Sequence, residues 1–413
     1  MKLSGIETHE HLQAIKKGMV MNMNNKNWVS VWGNAVSIAE HHPEAYAKYI
    51  TLRYPVYIPF AGDTLRFTFD NYCGSEAVTV TRATVSAATS PVYEKMPLAC
   101  PCKKETICDI TFSKNESVTM EAHQTAVSDP VSFPVKKGMT LTVSLYFADF
   151  TLMQSAVLVT GPLSKGFFSL GDQTHADALP MDTTKTTNWF YFLSNIELMT
   201  AEENHTVICY GDSITAGAWP DYLTLLARQN PDNHTVFIRR ATSGSRVLRQ
   251  YECITYDSYG LKGTNRFPHE IPTTGADTVI IQQGINDIIH PVGIETNPFR
   301  PMSDLPTAKE LIDGYRYYIE EAKKLHLKVY MGTLLPIFGW RTYATFRDDL
   351  RNELNAWIRS AKEIDGCIDF DLALRGSENP SAFREGFDSG DHLHPSSKAY
   401  QAMAECAYEV LQR

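Results

Sequence analysis

Residues 205–215, His-Thr-Val-Ile-Cys-Tyr-Gly-Asp-Ser-Ile-Thr, decide the fold of the second half of this chain. The run from His205 to Tyr210 is short, apolar and rich in β-branched residues, as a strand buried on both faces requires. The run stops at Gly211, and a helix can begin at or just after Ser213. A strand, a tight turn and a helix start in this order predict the opening unit of an α/β domain.

The same strand pattern returns along the rest of the chain, in the runs HTVFIRRA (234–241), DTVIIQQG (277–284), LKVYMGTLLP (327–336) and GCIDFDLAL (366–374). Helical patterns lie between and after these runs, over residues 307–325, 343–364 and about 396–411. The first of them opens with Thr307 and has Glu310 three residues later, which is the spacing of a capping box. Strands and helices in alternation predict a three-layer α/β/α domain with a parallel sheet and right-handed crossovers.

The first half of the chain has a different rhythm. Apolar residues alternate with polar ones in TLRYPVYIPF (51–60), DTLRFTFDNY (63–72), AVTVTRATVSAA (77–88) and MTLTVSLYFAD (139–149). Alternation with a period of two predicts antiparallel strands, here an antiparallel β-sandwich of jelly-roll type. The polar stretch 161–195 predicts a long connection with little regular structure. We therefore expect a β domain over residues 1–200 and an α/β domain over residues 201–413, with the boundary near Thr200.

Composition excludes several classes of protein. The net charge of −9 argues against binding to nucleic acid, which depends on clustered Lys and Arg. No run of about 18 apolar residues predicts a membrane span, and the N-terminus MKLSGIETHEHLQAIKKG lacks the apolar region of a signal peptide. We therefore expect a cytoplasmic protein, while a secreted form that has lost a leader stays open. Cys100, Cys102 and Cys108 lie close together, but their pattern favours free thiols over a metal site.

Four polar segments follow predicted strands and are expected at one edge of the sheet. Ser213 is the candidate nucleophile, and its backbone N–H, with Gly244 N–H and the Asn286 side chain, can bind an oxyanion. Asp391 stands three residues before His394, so one loop can supply a general base and the carboxylate that orients it. Each segment alone has a structural reading as an N-cap or a polar turn. His392 is the rival base.

These four segments, GDSIT (211–215), SGSR (243–246), GIND (284–287) and DHLHP (391–395), resemble the sequence blocks of the SGNH (GDSL) hydrolases. Further segments, including TLLPIFGW, IDFDLAL and HPSSKAYQAMAE, resemble a bacterial lysophospholipase-like branch that carries an extra N-terminal β domain. The resemblance implies a flavodoxin-like sheet and a serine carboxylic ester hydrolase. It also implies Ser213, His394 and Asp391 as catalytic triad, and Ser213, Gly244 and Asn286 as oxyanion hole.

One departure from the family pattern concerns the glycine block, where Arg239, Arg240 and Ala241 replace the usual Asn and small residue. This change affects the hydrogen bonding expected behind the oxyanion loop, and it is where a different substrate preference would be sought. Within the family resemblance we expect a short acyl group, especially acetyl, on a small-molecule or saccharide ester. Candidate substrate-binding residues are Asp212, Trp219, Arg246, Phe338 and Trp340, although the aromatic ones can equally be core residues.

Two alternatives remain at this stage: a lipid or aryl esterase, including a lysophospholipase, and a carbohydrate-binding protein with a vestigial esterase domain. Neither an organic cofactor nor a metal is expected, because the triad supplies nucleophile, base and orienting carboxylate itself. The sequence predicts no nucleic-acid or membrane partner and leaves an oligomer open.

Overall fold

The computed structural model describes residues 26–39 and 46–412. The N-terminal segment on which the signal-peptide prediction rests, residues 1–18, lies outside these residues. Before residue 205 the described chain forms β1 Lys26–Gly33, β2 Ser37–Ile38, β3 Tyr46–Ala47, β4 Ile50–Ile58, β5 Gly62–Asp70, β6 Val78–Val80, β7 Arg82–Ala87, β8 Cys108–Ile110, β9 Val118–Met120, β10 Thr125–Val127, β11 Val131–Val135, β12 Met139–Phe147, β13 Thr151–Leu152, β14 Ser155–Leu158, β15 Gly166–Leu170, β16 Lys185–Thr187, β17 Trp189–Tyr191 and β18 Leu193–Ala201.

The larger sheets of this half are antiparallel, as predicted. One has the order β1-β18-β5-β10, with β11 also paired to β5, and the other has the order β16-β15-β4-β12-β7-β8. In the first sheet Leu65, Phe67 and Phe69 of β5 are buried, and the residues between them are more exposed. This alternation is the pattern from which the strand was predicted.

The prediction of little regular structure over 161–195 was wrong. Strands β15, β16 and β17 lie within this stretch, and β18 begins in it and pairs with both β1 and β5. Nearly every residue of β18 is buried, so the strand lacks the period-two alternation that reveals a half-exposed strand. The division into domains near Thr200, which falls within β18, stays a prediction.

The second half contains β19 His205–Gly211, β20 Thr235–Ala241, β21 Ala276–Gln282, β22 Lys328–Gly332 and β23 Gly366–Ile368. Its helices are α1 Ser213–Ala216, α2 Trp219–Ala227, α3 Gly263–Glu270, α4 Ile285–Ile289, α5 Ala308–Lys324, α6 Thr345–Ser360, α7 Phe370–Leu374 and α8 Ser397–Leu411. All five strand runs of the sequence are therefore present. Helix α5 opens with the predicted capping box between Thr307 and Glu310, and α6 is shorter than its predicted range of 343–364.

These strands form a parallel sheet in the order β20-β19-β21-β22-β23. The helices contact each other in two groups, α8 with α2 and α7, and α5 with α3 and α6. The fold is the predicted α/β/α arrangement, and its strand order reverses between β19 and β21. In such open sheets ligands bind beyond the carboxyl ends of the strands at the point of reversal.

The two halves pack against each other along the edge strand of the parallel sheet. Strand β1 contacts β20 and β19, and the Thr206 hydroxyl donates to the Ser30 carbonyl at 2.8 Å. One continuous apolar core includes residues of both halves, among them Val31, Phe67 and Ile208.

Cysteine and membrane predictions can be compared with the described residues. The cysteines, including Cys100, Cys102 and Cys108, are free thiols. No group of three or more His, Cys, Asp or Glu residues within the described ranges is arranged to hold a metal ion. Of the helices between residues 26 and 412, none combines the length and apolar character that crossing a membrane requires.

Candidate active site

The ends of three neighbouring strands bring the predicted site residues to one edge of the sheet. Gly211 of β19 is in register with Ala241 of β20 on one side and with Gln282 of β21 on the other. Ser213, Gly244 and Asn286 follow these three strand ends within a few residues. The candidate nucleophile and both further oxyanion donors therefore lie at the same edge of the sheet.

Ser213 is the first residue of α1 and is partly buried. The turn before it requires Gly211, because a Cβ there would lie 2.4 Å from both the Gln282 carbonyl oxygen and the Thr215 hydroxyl. Asp212 is the N-cap, and its carboxylate accepts the Ile214 N–H at 3.0 Å. The first N–H groups of a helix have no intrahelical acceptor, so the Ser213 N–H can bind an oxyanion.

Ser213, His394 and Asp391 form one row of hydrogen-bonded side chains. The Ser213 Oγ lies 2.9 Å from His394 Nε2, and His394 Nδ1 lies 2.6 Å from Asp391 Oδ2. With the ring proton on Nδ1 donated to Asp391, Nε2 is free to accept the serine hydroxyl hydrogen. The other carboxylate oxygen accepts the backbone N–H groups of Leu393 and His394, at 3.0 and 2.8 Å.

The carboxylate of Asp391 stays ionised far below neutral pH. Partial burial acts to raise its pKa, but hydrogen bonds from the His394 ring and from the His394 and Leu393 N–H groups outweigh this. The resulting pKa is about 2. Asp391 can therefore hold the imidazole in one orientation and stabilise its charged form.

His392, the rival base, faces elsewhere. Its Nδ1 lies 2.6 Å from Asp388 Oδ2, and its side chain is 54% exposed. Its backbone has a φ of 64°, so the chain turns sharply between His392 and His394. The geometry therefore favours His394 over His392 as the partner of Ser213.

Ser245 connects Gly244 with Asn286, because it follows Gly244 in the chain and bonds to the Asn286 side chain. The Asn286 Nδ2 donates to the Ser245 carbonyl at 3.0 Å, which leaves its second amide hydrogen for a ligand. Gly244 has a φ of 77°, and a Cβ there would lie 2.3 Å from the ring of Tyr259. Glycine is thus required at this position both by backbone conformation and by space.

Hydrogen bonding behind the oxyanion loop comes from residues that the sequence reading missed. Arg266 donates to the Ser245 hydroxyl at 3.0 Å and to the Arg240 and Gly211 carbonyls at 3.0 and 3.3 Å. The Gln283 amide also donates to the Ser245 hydroxyl, at 2.9 Å. Arg266 belongs to α3, outside the four motif blocks, so only the three-dimensional fold reveals its role.

Arg239 and Arg240, from which a different substrate preference was expected, do not face a substrate. Both are buried: Arg239 bonds to Asp221 at 2.7 Å and to Ser164 at 2.9 Å. Arg240 donates to carbonyls of the N-terminal half. The side chains of Arg239 and Arg240 point to opposite faces of β20. On each face one of them bonds to a residue of the N-terminal half.

The proposed substrate-binding residues fall into two groups. Asp212, Trp219 and Arg246 are buried, and Trp219 packs on Phe370 with its Nε1 donating to the Thr215 hydroxyl. Trp219 is therefore a core residue, because its ring is fully covered. Phe338 is 46% exposed and Trp340 is partly exposed. They flank Gly339, where a Cβ would lie 2.8 Å from the His392 ring, so both lie beside the His394 loop.

Comparison with known proteins agrees with this geometry. Residues 209–402 match the family described as GDSL-like Lipase/Acylhydrolase. This region belongs to the GDSL-like lipase/acylhydrolase family. It is thus a carboxylic ester hydrolase domain, as its resemblance to the SGNH hydrolases implied, and the N-terminal region is an addition to it.

Three solved structures are similar to this chain at low sequence identity. A GDSL-like lipase from Bacteroides thetaiotaomicron is 20% identical, with 51% of this chain and 89% of that chain covered and a TM-score of 0.37. An acetyl xylan esterase from Geobacillus stearothermophilus is 18% identical, with 50% and 95% covered and a TM-score of 0.38. A putative acylhydrolase from Bacteroides fragilis is 20% identical, with 50% and 86% covered and a TM-score of 0.37. No curated protein matches the chain significantly.

Asp212 gives the GDSL-like domain a testable dependence of stability on pH. Burial raises its pKa to about 7, well above the value of an unfolded aspartate. The folded state therefore binds the Asp212 proton more tightly than the unfolded state does. The stabilising contribution of the protonated Asp212 side chain is fully present below about pH 4 and is lost as pH rises through about 7. Asp212→Asn removes the buried charge and keeps a good N-cap. From pH 5 to pH 8 we expect the stability difference between the two proteins to change in favour of the variant, by on the order of 2 kcal/mol.

Thermal unfolding of both proteins at pH 5 and pH 8 measures this effect. Asp349→Asn, at an exposed position of α6, is the matched control and should shift the melting temperature equally at both pH values. A shift for Asp212→Asn that is the same at pH 5 and pH 8 would show that the carboxyl group does not titrate between them.

Proposed function

We propose that this chain is a serine esterase that removes short acyl groups, most of all acetyl, from a carbohydrate through an acyl-enzyme. The observation that carries the proposal is the row of hydrogen bonds from Asp391 through His394 to Ser213. In the first step the Ser213 Oγ attacks the ester carbonyl carbon while His394 Nε2 takes the hydroxyl proton. The same proton then passes to the leaving alcohol oxygen, and water releases the acid by the reverse sequence.

The oxyanion that forms on the carbonyl oxygen is assigned to three donors. They are the N–H of Ser213, the N–H of Gly244 and the second amide hydrogen of Asn286. Removal of one fixed donor of this kind typically raises the activation free energy by about 2.7–4 kcal/mol. Arg266 and Gln283 do not touch the substrate in this proposal; they hold Ser245, and through it the position of Gly244 and Asn286.

The size of the acyl group is inferred from Tyr259. Its ring lies directly against Gly244 and stacks on His290, with ring centroids 5.3 Å apart. An aromatic wall beside an oxyanion donor supports a small acyl group. Sugar binding is inferred from the exposed ring of Phe338 and the partly exposed ring of Trp340, which border the His394 loop and offer apolar faces for stacking.

A lipid or aryl esterase is the second candidate, and a specific feature supports it. Exposed apolar side chains lie in the loops that follow β20 and β21, at Ile254 (70%), Ile294 (62%), Phe299 (47%) and Met302 (42%). An apolar rim at the mouth of a site can receive an acyl chain or a ring.

Acyl chain length separates the two candidates. We expect kcat/KM for 4-nitrophenyl acetate to exceed that for 4-nitrophenyl octanoate by about tenfold or more, because a longer acyl chain would have to displace the Tyr259 ring beside Gly244. Release of acetate from acetylated xylan, glucomannan and simple acetylated sugars then identifies the alcohol. A preference for the octanoate ester would contradict the short-acyl proposal and favour the second candidate.

A further inference from the structure

The buried ring of His290, one helical turn beyond Asn286, lies near the guanidinium groups of Arg246, Arg300 and Arg341. The backbone N–H of His290 donates to the Asn286 carbonyl at 3.1 Å, and His290 is only 6% exposed. Burial, followed by the positive charges of Arg300, Arg246 and Arg341, holds the pKa of His290 well below its ordinary value. The ring is therefore neutral, and the charge of this cluster comes from the arginines.

The cluster of Arg246, Arg300 and Arg341 is assembled from three loops at the carboxyl ends of the strands. Arg246 follows β20 and stands two residues after Gly244. Arg300 follows β21 and α4, and Arg341 follows β22 within the turn that contacts His392. Because ligands bind at this edge of an open parallel sheet, the cluster lies where part of a substrate would lie.

Only one of the three arginines has a counter-charge. Arg246 Nη1 lies 3.0 Å from Asp304 Oδ2. For Arg300 and Arg341, no carboxylate of the described ranges lies within ion-pair distance. Arg300 is 7% exposed, and no described group accepts a hydrogen bond from its Nε. A buried guanidinium without a negative partner has a large desolvation cost.

Aromatic rings compensate only part of this cost. The Arg300 guanidinium lies 4.3 Å from the centre of the Tyr256 ring and 5.8 Å from that of Tyr251. Arg341 lies 4.6 Å from the centre of the Trp340 ring. Cation–π contacts of this type contribute about 0.5–2 kcal/mol, and they orient the planar groups while their N–H donors stay available.

We propose that Arg300 and Arg341 form an anion subsite beside the ester site and that the preferred substrate carries a carboxylate near its ester bond. The inference rests on the proposed esterase function and specifies the substrate class of that same site. A guanidinium donates two parallel hydrogen bonds to a carboxylate, and such charge-assisted bonds are about twice as strong as neutral ones. An acylated acidic sugar or another acylated hydroxy acid has this chemistry.

Two pairs of probe esters test the subsite without knowledge of the natural substrate. On the alcohol side, 4-acetoxybenzoate is compared with methyl 4-acetoxybenzoate. On the acyl side, mono-4-nitrophenyl succinate is compared with 4-nitrophenyl levulinate. Each kcat/KM is divided by the hydroxide-catalysed rate constant of the same ester, so that intrinsic reactivity cancels. We expect the anionic member of at least one pair to be preferred about tenfold.

The arginine variants assign the preference to the cluster. Arg300→Gln and Arg341→Gln should each reduce the ratio of anionic to neutral kcat/KM by about threefold to tenfold. Arg316→Gln is the matched control, since Arg316 of α5 is 47% exposed and its partners are Asp313 and Glu363. If Arg300→Gln does not fold, the exposed Arg341 carries the test.

The outcomes separate this inference from the esterase proposal. A wild-type ratio near one in both pairs, with neutral esters hydrolysed by a Ser213-dependent reaction, overturns the anion subsite alone. A preference that survives both arginine substitutions also overturns it. If the wild-type protein hydrolyses none of these esters, the proposed function itself is contradicted.

Discussion

Ser213→Ala is expected to lower kcat for 4-nitrophenyl acetate by about four to six orders of magnitude, with folding unchanged. The physical reason is that the Oγ is the attacking atom and has a base 2.9 Å away. Loss of one hydroxyl at the start of α1 removes no core contact, so the melting temperature should stay within a few degrees of wild type. Hydrolysis at the wild-type rate would refute Ser213 as nucleophile.

His394→Ala should lose activity to a similar degree, because nucleophile and base act as one unit and their losses do not add. His392→Ala is the matched control two residues away. The His392 ring bonds to Asp388 and points away from Ser213, so its removal should change kcat by less than about tenfold. Equal losses in the two histidine variants would show that the loop rearranges and that the base is not assigned by this geometry.

Sequence reasoning was most successful where local chemistry and position coincide. The strand runs 234–241 and 277–284 and the capping box of α5 were predicted because runs of apolar β-branched residues and helix-capping residues are local signals in the sequence. Ser213, His394 and Asp391 were named from motifs at strand ends, and the structure brings them into hydrogen-bonding distance. Their catalytic roles stay predictions until the variants above are measured.

Long-range contacts account for what the sequence did not reveal. Strand β18 was missed because it is buried on both faces and shows no alternation, and because its partner strands β1 and β5 come from distant parts of the chain. Arg266 supports Ser245, and Arg300 lies on Tyr256, only because the fold brings separate loops together. Arg239 and Arg240 were interpreted through their nearness to Gly244 in sequence, but their side chains bind the N-terminal half.

Arg240→Met is expected to lower the free energy of unfolding by about 3–5 kcal/mol. The Arg240 guanidinium donates to the Asn34 and Ser194 carbonyls at 2.6 and 2.8 Å and to the Asn195 side chain at 3.1 Å. All of these acceptors belong to the N-terminal half. Methionine covers a similar volume but leaves buried acceptors without a donor.

The contact also lies directly behind the oxyanion loop. Arg240 is followed by Ala241, the last residue of β20, and its carbonyl accepts a hydrogen bond from Arg266. Loosening the N-terminal half should therefore also lower esterase activity at temperatures below unfolding, since Gly244 loses part of its support. This links the β domain to the chemistry without requiring it to touch the substrate.

Chemical unfolding in urea and the melting temperature measure the stability loss. Arg228→Met is the matched control: Arg228 also joins the halves, donating to the Tyr93 hydroxyl at 2.9 Å, but it is exposed. An exposed contact of this kind contributes at most about 1 kcal/mol, so the control should remain close to wild type. Equal effects of the two substitutions would mean that Arg240 is no more than a surface contact. In that case the attachment of the N-terminal half to β20 would rest on the packing of β1 and on the bond from Arg239 to Ser164.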